Sequence, residues 1–192
     1  VAQAPWGLLH LDLYKKAAEE LGIAVAYSEQ YPLTDEDLVV SNFALKVRQK
    51  NPKALIIDLN KNGTAILLKR LIEQKIEIPI LATHKAVEAI RIGLVPALPH
   101  AANLYIDDLA SEPSFIQTFK NLYGMDPDIY AANSYDALML FAKATQSTDG
   151  TPQAVRNYFH TMPPYKGMGG TYQFDKDGNS NPTPWLIRKA LD

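Results

Sequence analysis

The feature that most constrains this chain is a series of short, unbroken apolar runs separated by helix-length amphipathic stretches. Ala54-Leu55-Ile56-Ile57 and Ile78 to Leu81 carry almost no polar alternation, as expected of strands buried on both faces. Ile23 to Tyr27 reads as a further strand and Leu104 to Ile106 as a weak one. Between them, Leu8 to Leu21 puts Leu9, Leu13, Ala17 and Leu21 on one helical face, with Gly22 as a stop. Thr34 opens a capping-box-like Thr-Asp-Glu-Asp, after which Leu38, Val39, Phe43 and Val47 recur at helical spacing. Asn62-Gly63 opens a helix through Ile72, and Ala86 to Ile92 gives a shorter one. Strands alternating with helices of this length predict an α/β fold, with a parallel sheet covered on both faces.

After Asp107 the alternation stops. Three helical patterns follow without a strand between them. Their apolar faces carry Phe115, Phe119 and Leu122, then Tyr135, Leu138, Phe141 and Ala142, then Val155, Tyr158 and Phe159. Thr151-Pro152 is a well-formed start for the third. Burying one such side chain is worth roughly 1.5–3 kcal/mol, so these faces are expected to find cover. The stretch Gly169 to Asn179 contains Asp-Lys-Asp-Gly, which suggests a calcium loop. The pattern fails, because with Asp175 first, Gly178 falls at the fourth position and Leu186 at the twelfth, where a calcium loop has a bidentate Glu. Tyr172 and Phe174 alternate with polar residues, Asp177-Gly178 is a turn signal, and Trp185-Leu186-Ile187 follows. The stretch reads as a hairpin.

Composition narrows the function. A net charge of −2 gives no electrostatic case for nucleic acid. No apolar run approaches the ~20 residues of a membrane span, and the absence of cysteine excludes disulfides and thiolate metal sites. The histidines, His10, His84, His100 and His160, are not at metal-ligand spacing. No nucleophile elbow, Walker loop or dinucleotide fingerprint is present, so neither catalysis nor a cofactor is expected. The chain starts at Val1 without a signal-peptide pattern and is read as a processed or trimmed product. Ligands of open α/β sheets sit at the carboxyl ends of the strands. That rule selects Pro5-Trp6-Gly7, Asp58 to Asn62 and Thr83-His84-Lys85, and places Trp6, Asn60, Lys61 and His84 to converge on one cleft.

The order of motifs adds a family. Pro5-Trp6-Gly7 leads a helix ending Ala17-Ala18-Glu19-Glu20-Leu21-Gly22. Tyr31 through Thr34-Asp35 and Asn51-Pro52-Lys53-Ala54-Leu55-Ile56-Ile57 follow. Phe119-Lys120-Asn121-Leu122-Tyr123-Gly124, Pro127 and Tyr130 through Tyr135-Asp136-Ala137 come next. Gly167-x-Gly169 then leads to Tyr172-x-Phe174-Asp175-x-Asp177-Gly178. Along nearly the whole chain this resembles the type I periplasmic binding proteins, in particular the receptors of branched-chain amino-acid ABC transporters. The resemblance implies a Rossmann-like parallel-sheet lobe plus helices of a partial second lobe. Residues 1–107 would be the α/β ligand-binding lobe, 108–165 helices of the incomplete first lobe, and 166–192 a hairpin and tail recrossing the hinge. It implies a periplasmic or extracytoplasmic solute-binding protein, with a small-molecule ligand and a membrane permease as partners. A ligand-sensing regulatory domain on the same fold is the alternative. A missing N-terminal segment, or a symmetry mate, would cover the late helices unless they repack on the remaining sheet. The family's ligand positions fall on Trp6, on Asn60 or Lys61, on His84, and on Tyr130. Trp6 and Tyr130 keep the aromatic character. His84 stands where the family has a Glu for an ammonium group, and an imidazole is no substitute for that carboxylate. The expected ligand is therefore a small polar or acidic molecule rather than an ordinary branched-chain amino acid.

Overall fold

The structure is a computed structural model that describes residues 1–32, 37–95, 103–109, 111–180 and 185–190. The expected capping start at Thr34 and His100 lie outside the described residues. The chain divides into two compact units, residues 1–107 with 187–192, and residues 108–186.

The first unit opens with a stub at Ala2 and helix α1 (Pro5–Glu20), then α2 (Asp37–Lys50), β1 (Leu55–Ile57), α3 (Lys61–Glu73), β2 (Ile80–Ala82), α4 (Lys85–Arg91) and β3 (Leu104–Leu109). β1, β2 and β3 pair in parallel, with Ile57, Ala82 and Ile106 in one row. The sheet order is β1-β2-β3-β6, where β6 is Trp185–Lys189. The Ala190 amide donates to the Leu104 carbonyl at 3.0 Å. The expected mainly parallel α/β architecture is present. Its core lies on one face of the sheet, where Ile57, Ile80, Ala82, Leu104 and Ile106 meet Val40, Phe43, Ala44 and Val47 of α2, Leu67, Leu68 and Leu71 of α3, and Ala86 and Ala89 of α4.

Two expectations in this unit are corrected. Ile23 to Tyr27 is not a strand. Its apolar side chains are exposed, Tyr27 touches only the rim of α2 at Phe43 and Lys46, and backbone pairing begins at Glu29 and Tyr31, where Tyr31 bridges Ala2 in parallel. Among the described residues no strand pairs with this run, so its apolar character alone had no ladder to join. Helix α1 also turns the other way from its leucine face. Leu9, Leu13 and Leu21 are exposed, while Gly7 and Leu11 are buried. The close approach of the stub dictates this orientation, because a Cβ on Gly7 would lie 2.1 Å from the Ala2 carbonyl oxygen.

The second unit contains α5 (Pro113–Tyr123), α6 (Ile129–Gln146), α7 (Pro152–Thr161), β4 (Tyr165–Lys166) and β5 (Thr171–Tyr172). Asp128 and Thr151 cap α6 and α7 through their side chains. The buried stripe of α6 is Ala132, Asp136, Leu140 and Ala144, whereas Leu138 and Phe141 stay 66% and 55% exposed. The cover expected for this face is thus not supplied by the described residues of the chain. The late hairpin is also rearranged. β4 pairs β5 antiparallel, Phe174 bridges Ser180 across the Asp177-Gly178 turn, and the Trp185 run joins the parallel sheet instead of closing the hairpin.

Asp136 organises this unit. It is fully buried, and its carboxylate accepts from the Met168 amide at 2.7 Å, the Gly169 amide at 2.6 Å and the Tyr172 hydroxyl at 2.9 Å. A Cβ on Gly167 would sit 2.4 Å from that carboxylate. Gly167→Ala is therefore expected to destabilise the protein by about 1–3 kcal/mol, the usual cost of overpacking. Urea denaturation measures this, and a variant as stable as the parent would show that the cradle has room to spare.

Candidate functional site

The parallel register sets the geometry of the carboxyl edge. One residue beyond the row Ile57–Ala82–Ile106 come Asp58, Thr83 and Asp107. Side chains alternate along a strand, so these three project to the face opposite the core, where α1 lies. Asp58 is only 2% exposed. An unpaired carboxylate at that depth would be costly, and α1 supplies its partners. His10 Nδ1 lies 2.7 Å from Asp58 Oδ2, and the Tyr14 hydroxyl donates to the same oxygen at 3.2 Å. His10 and Tyr14 are four residues apart, hence on one helical face. A carboxylate only accepts, so the His10 proton on this side resides on Nδ1. The Trp6 ring meets His10 edge-on at a centroid distance of 6.0 Å.

The neighbouring loops carry the remaining polar groups. Lys61, the first residue of α3, pairs with Glu88 at 3.3 Å, and Lys85 reaches Glu88 at 3.5 Å. Burial alone would push the Glu88 carboxyl up, but the hydrogen bonds and charges of Lys61 and Lys85 outweigh it and hold it below its ordinary value. The His84 amide donates to Asp107 Oδ1 at 2.5 Å, and its Nδ1 lies 3.7 Å from the same oxygen. Burial, followed by the Asp58 charge and hydrogen bond and the Asp107 charge, raises the Tyr14 hydroxyl well above the ordinary tyrosine range. Tyr14 thus remains a proton donor between the two aspartates.

The expected residues are distributed as follows. Trp6, Asn60, Lys61 and His84 all lie in the first unit at the carboxyl edge of the sheet. Asn60 accepts from the Gly63 amide at 2.8 Å and caps α3. Lys61 is joined to α4 through Glu88, and His84 to β3 through Asp107. Tyr130 belongs to the other unit, in the first turn of α6, and is exposed. Sequence reasoning missed His10, Tyr14 and Asp58. The usable signal was an acid directly after a continuous apolar strand, combined with two polar rings at i and i+4 on a helix that starts at the same sheet edge. The second unit has a separate groove of about 550 Å³ walled by Phe141, Val155, Phe159 and Phe174. Among the described residues no cluster of three or more metal-ligating side chains occurs, and no helix is long and apolar enough to cross a membrane.

Comparison with known proteins gives a consistent set. The family model for periplasmic binding proteins matches residues 2–191. A leucine-binding protein from Thermotoga maritima superposes with a TM-score of 0.76 at 20% identity, over 92% of this chain and 51% of its own. An ABC-transporter solute-binding protein from Rhodopseudomonas palustris BisB5, solved with 3,4-dihydroxybenzoic acid, gives 0.79 at 16% identity, over 98% and 54%. Another from R. palustris, solved with benzoate, gives 0.77 at 15% identity, over 98% and 53%. At these identities the likeness is one of fold. The chain spans about half the length of these structures. No curated protein matches the chain.

The raised Tyr14 value has a direct consequence. A folded-state value above the unfolded one, which is close to 10.0, stabilises the folded chain fully below that pH and is lost as pH rises through the folded value. Stability should therefore fall steeply above about pH 10. Tyr14→Phe should flatten the fall, as read by denaturation midpoints across alkaline pH. An unchanged slope in Tyr14→Phe would show that the phenol is not held by Asp58.

Proposed function

The chain belongs to the periplasmic binding protein family, and on that premise we propose that it is an extracytoplasmic solute-binding component of an ABC transporter. It binds a small carboxylate without chemical turnover and presents it to a membrane permease. The observation that carries this reading is Lys61 in the first turn of α3, at the carboxyl end of β1. A helix N-terminus offers backbone N–H groups beyond the Gly63 amide taken by Asn60, and a favourable dipole, to an anion, and the Lys61 ammonium, paired with Glu88 at 3.3 Å, adds a charge that a ligand carboxylate would share or take over. His84, on the loop after β2, is a second nitrogen donor or acceptor at the same edge.

Trp6 adds an apolar, polarisable surface next to this polar edge. An aromatic carboxylate fits the combination best, with its ring against Trp6 and its carboxylate on Lys61. Solved relatives of the same fold hold benzoate and 3,4-dihydroxybenzoic acid, which makes these two compounds the natural probes. An amino acid would bring an ammonium group to His84, whose imidazole offers it no carboxylate, and the nearby acids are already engaged, Asp107 by His84 and Glu88 by Lys61 and Lys85.

Calorimetry on the protein is expected to show saturable binding of benzoate or 3,4-dihydroxybenzoate and none of leucine at comparable concentration. Lys61→Ala should weaken carboxylate binding about tenfold, in line with loss of one charge-assisted hydrogen bond. Tight leucine binding, with benzoate and its dihydroxy derivative inert, would overturn the ligand class.

A further inference from the structure

We propose that His10 is a ligand-contacting residue of this edge and that Asp58 is its positioning residue, so that the site reads a hydroxyl group on the ligand as well as its carboxylate. The inference rests on the ligand class just proposed and extends it to a named discriminating contact.

The starting point is the placement of a carboxylate where packing did not require one. Asp58 follows the buried Ile57 and is almost fully enclosed. Replacing a buried ion pair by well-fitted apolar side chains is often neutral or stabilising. Holding α1 on the sheet is therefore a weak reason to keep an acid there. What the acid does achieve is orientation. It fixes the His10 ring by Nδ1 at 2.7 Å while the Tyr14 hydroxyl steadies the same oxygen at 3.2 Å. An imidazole held by one nitrogen presents the other in a set direction, as in histidines oriented by a carboxylate elsewhere in protein chemistry.

The His10 side chain is 42% exposed even though Nδ1 is bound to a buried carboxylate. The exposed part of the ring is thus the side away from Asp58, which bears Nε2. The same ring stands edge-on to Trp6, one helical turn earlier. A ligand ring laid against Trp6 brings its own substituents next to Nε2. A hydroxyl is the substituent that matches. It can donate to Nε2 or accept from it, and so pairs with the imidazole in either protonation state. A bare ring edge leaves Nε2 without a partner, and sites built to bond a hydroxyl discriminate strongly against the analogue that lacks it.

The test compares benzoate with 3,4-dihydroxybenzoate by calorimetry on the protein and on three variants. The parent should prefer the dihydroxy compound by at least about tenfold, the scale of one net hydrogen bond in a partly exposed site. His10→Asn keeps an amide at the position of Nδ1, and so keeps a donor for Asp58, but has no atom at Nε2. It should fold normally and bind both compounds about equally. His10→Gln places its amide at the Nε2 position and should recover part of the preference. Asp58→Asn removes the obligate acceptor. The His10 ring ¹⁵N signals, which in the parent should report a proton on Nδ1, should then lose that single state as the preference falls. Preference retained in His10→Asn would confine His10 to a structural role and overturn the inference, as would equal binding of both compounds by the parent. Binding of neither compound by the parent would overturn the proposed ligand class and this contact with it.

Discussion

A single buried carboxylate ties the first unit together. Asp58 stands at the point where β1 ends, and three parts of the chain converge on it. The Ala2 amide donates to its backbone carbonyl at 2.7 Å, and His10 and Tyr14 reach its side chain. The stub, the orientation of α1 and the direction of the His10 ring all follow from these bonds and from the close fit of Gly7 on Ala2. Each bond to a charged acceptor is worth roughly 1.5–3 kcal/mol. Removing the acceptor would leave two polar groups half-buried and unpaired, while removing a partner would strand a buried charge. The arrangement holds as a set on a helix whose roll is fixed by the fit of Gly7 on Ala2; apolar side chains could hold α1 as firmly, but would not orient the His10 ring.

The second unit repeats the device with different parts. Asp136 lies on α6, and its acceptors are filled by two backbone amides of the Gly167–Gly169 stretch and by the Tyr172 hydroxyl. Here the carboxylate fixes a loop, and no ring nitrogen is left facing outward. The contrast clarifies Asp58. Both acids are buried and well satisfied, but only Asp58 spends one of its bonds on a half-exposed imidazole beside an aromatic side chain at a sheet edge.

Much of the fold was legible in the residues. The runs at Leu55–Ile57 and Ile80–Ala82 are strands as their apolar sequence implies, although Ile56 is half-exposed and the core lies on one face of the sheet, and Thr151 caps α7 where Thr-Pro signals a helix start. The failures have one physical origin. Ile23 to Tyr27 has the alternation of a strand but no partner edge. Leu9 and Leu13 have the spacing of a core face, but Gly7 decides which way α1 rolls. The Trp185 run could close a hairpin, yet it joins the parallel sheet. Each depends on which backbone lies next to the segment, near in sequence for Gly7 on Ala2 and distant for the Trp185 run, and local periodicity encodes neither. The same holds for the site. Trp6, Lys61 and His84 could be placed from strand ends alone, whereas the His10–Asp58 pair spans 48 positions and only the folded chain shows it.

We propose the carboxyl edge of β1 and β2 as the place where this protein takes up a carboxylate. The most direct measurement is a ¹H–¹⁵N correlation titration of the labelled protein with benzoate. Saturable shifts are expected, concentrated on the Trp6 indole and on the amides of residues 6–10, 58–62 and 83–85. Saturable shifts confined to the groove around Phe141, Phe159 and Phe174, with the strand-end residues unmoved, would contradict it.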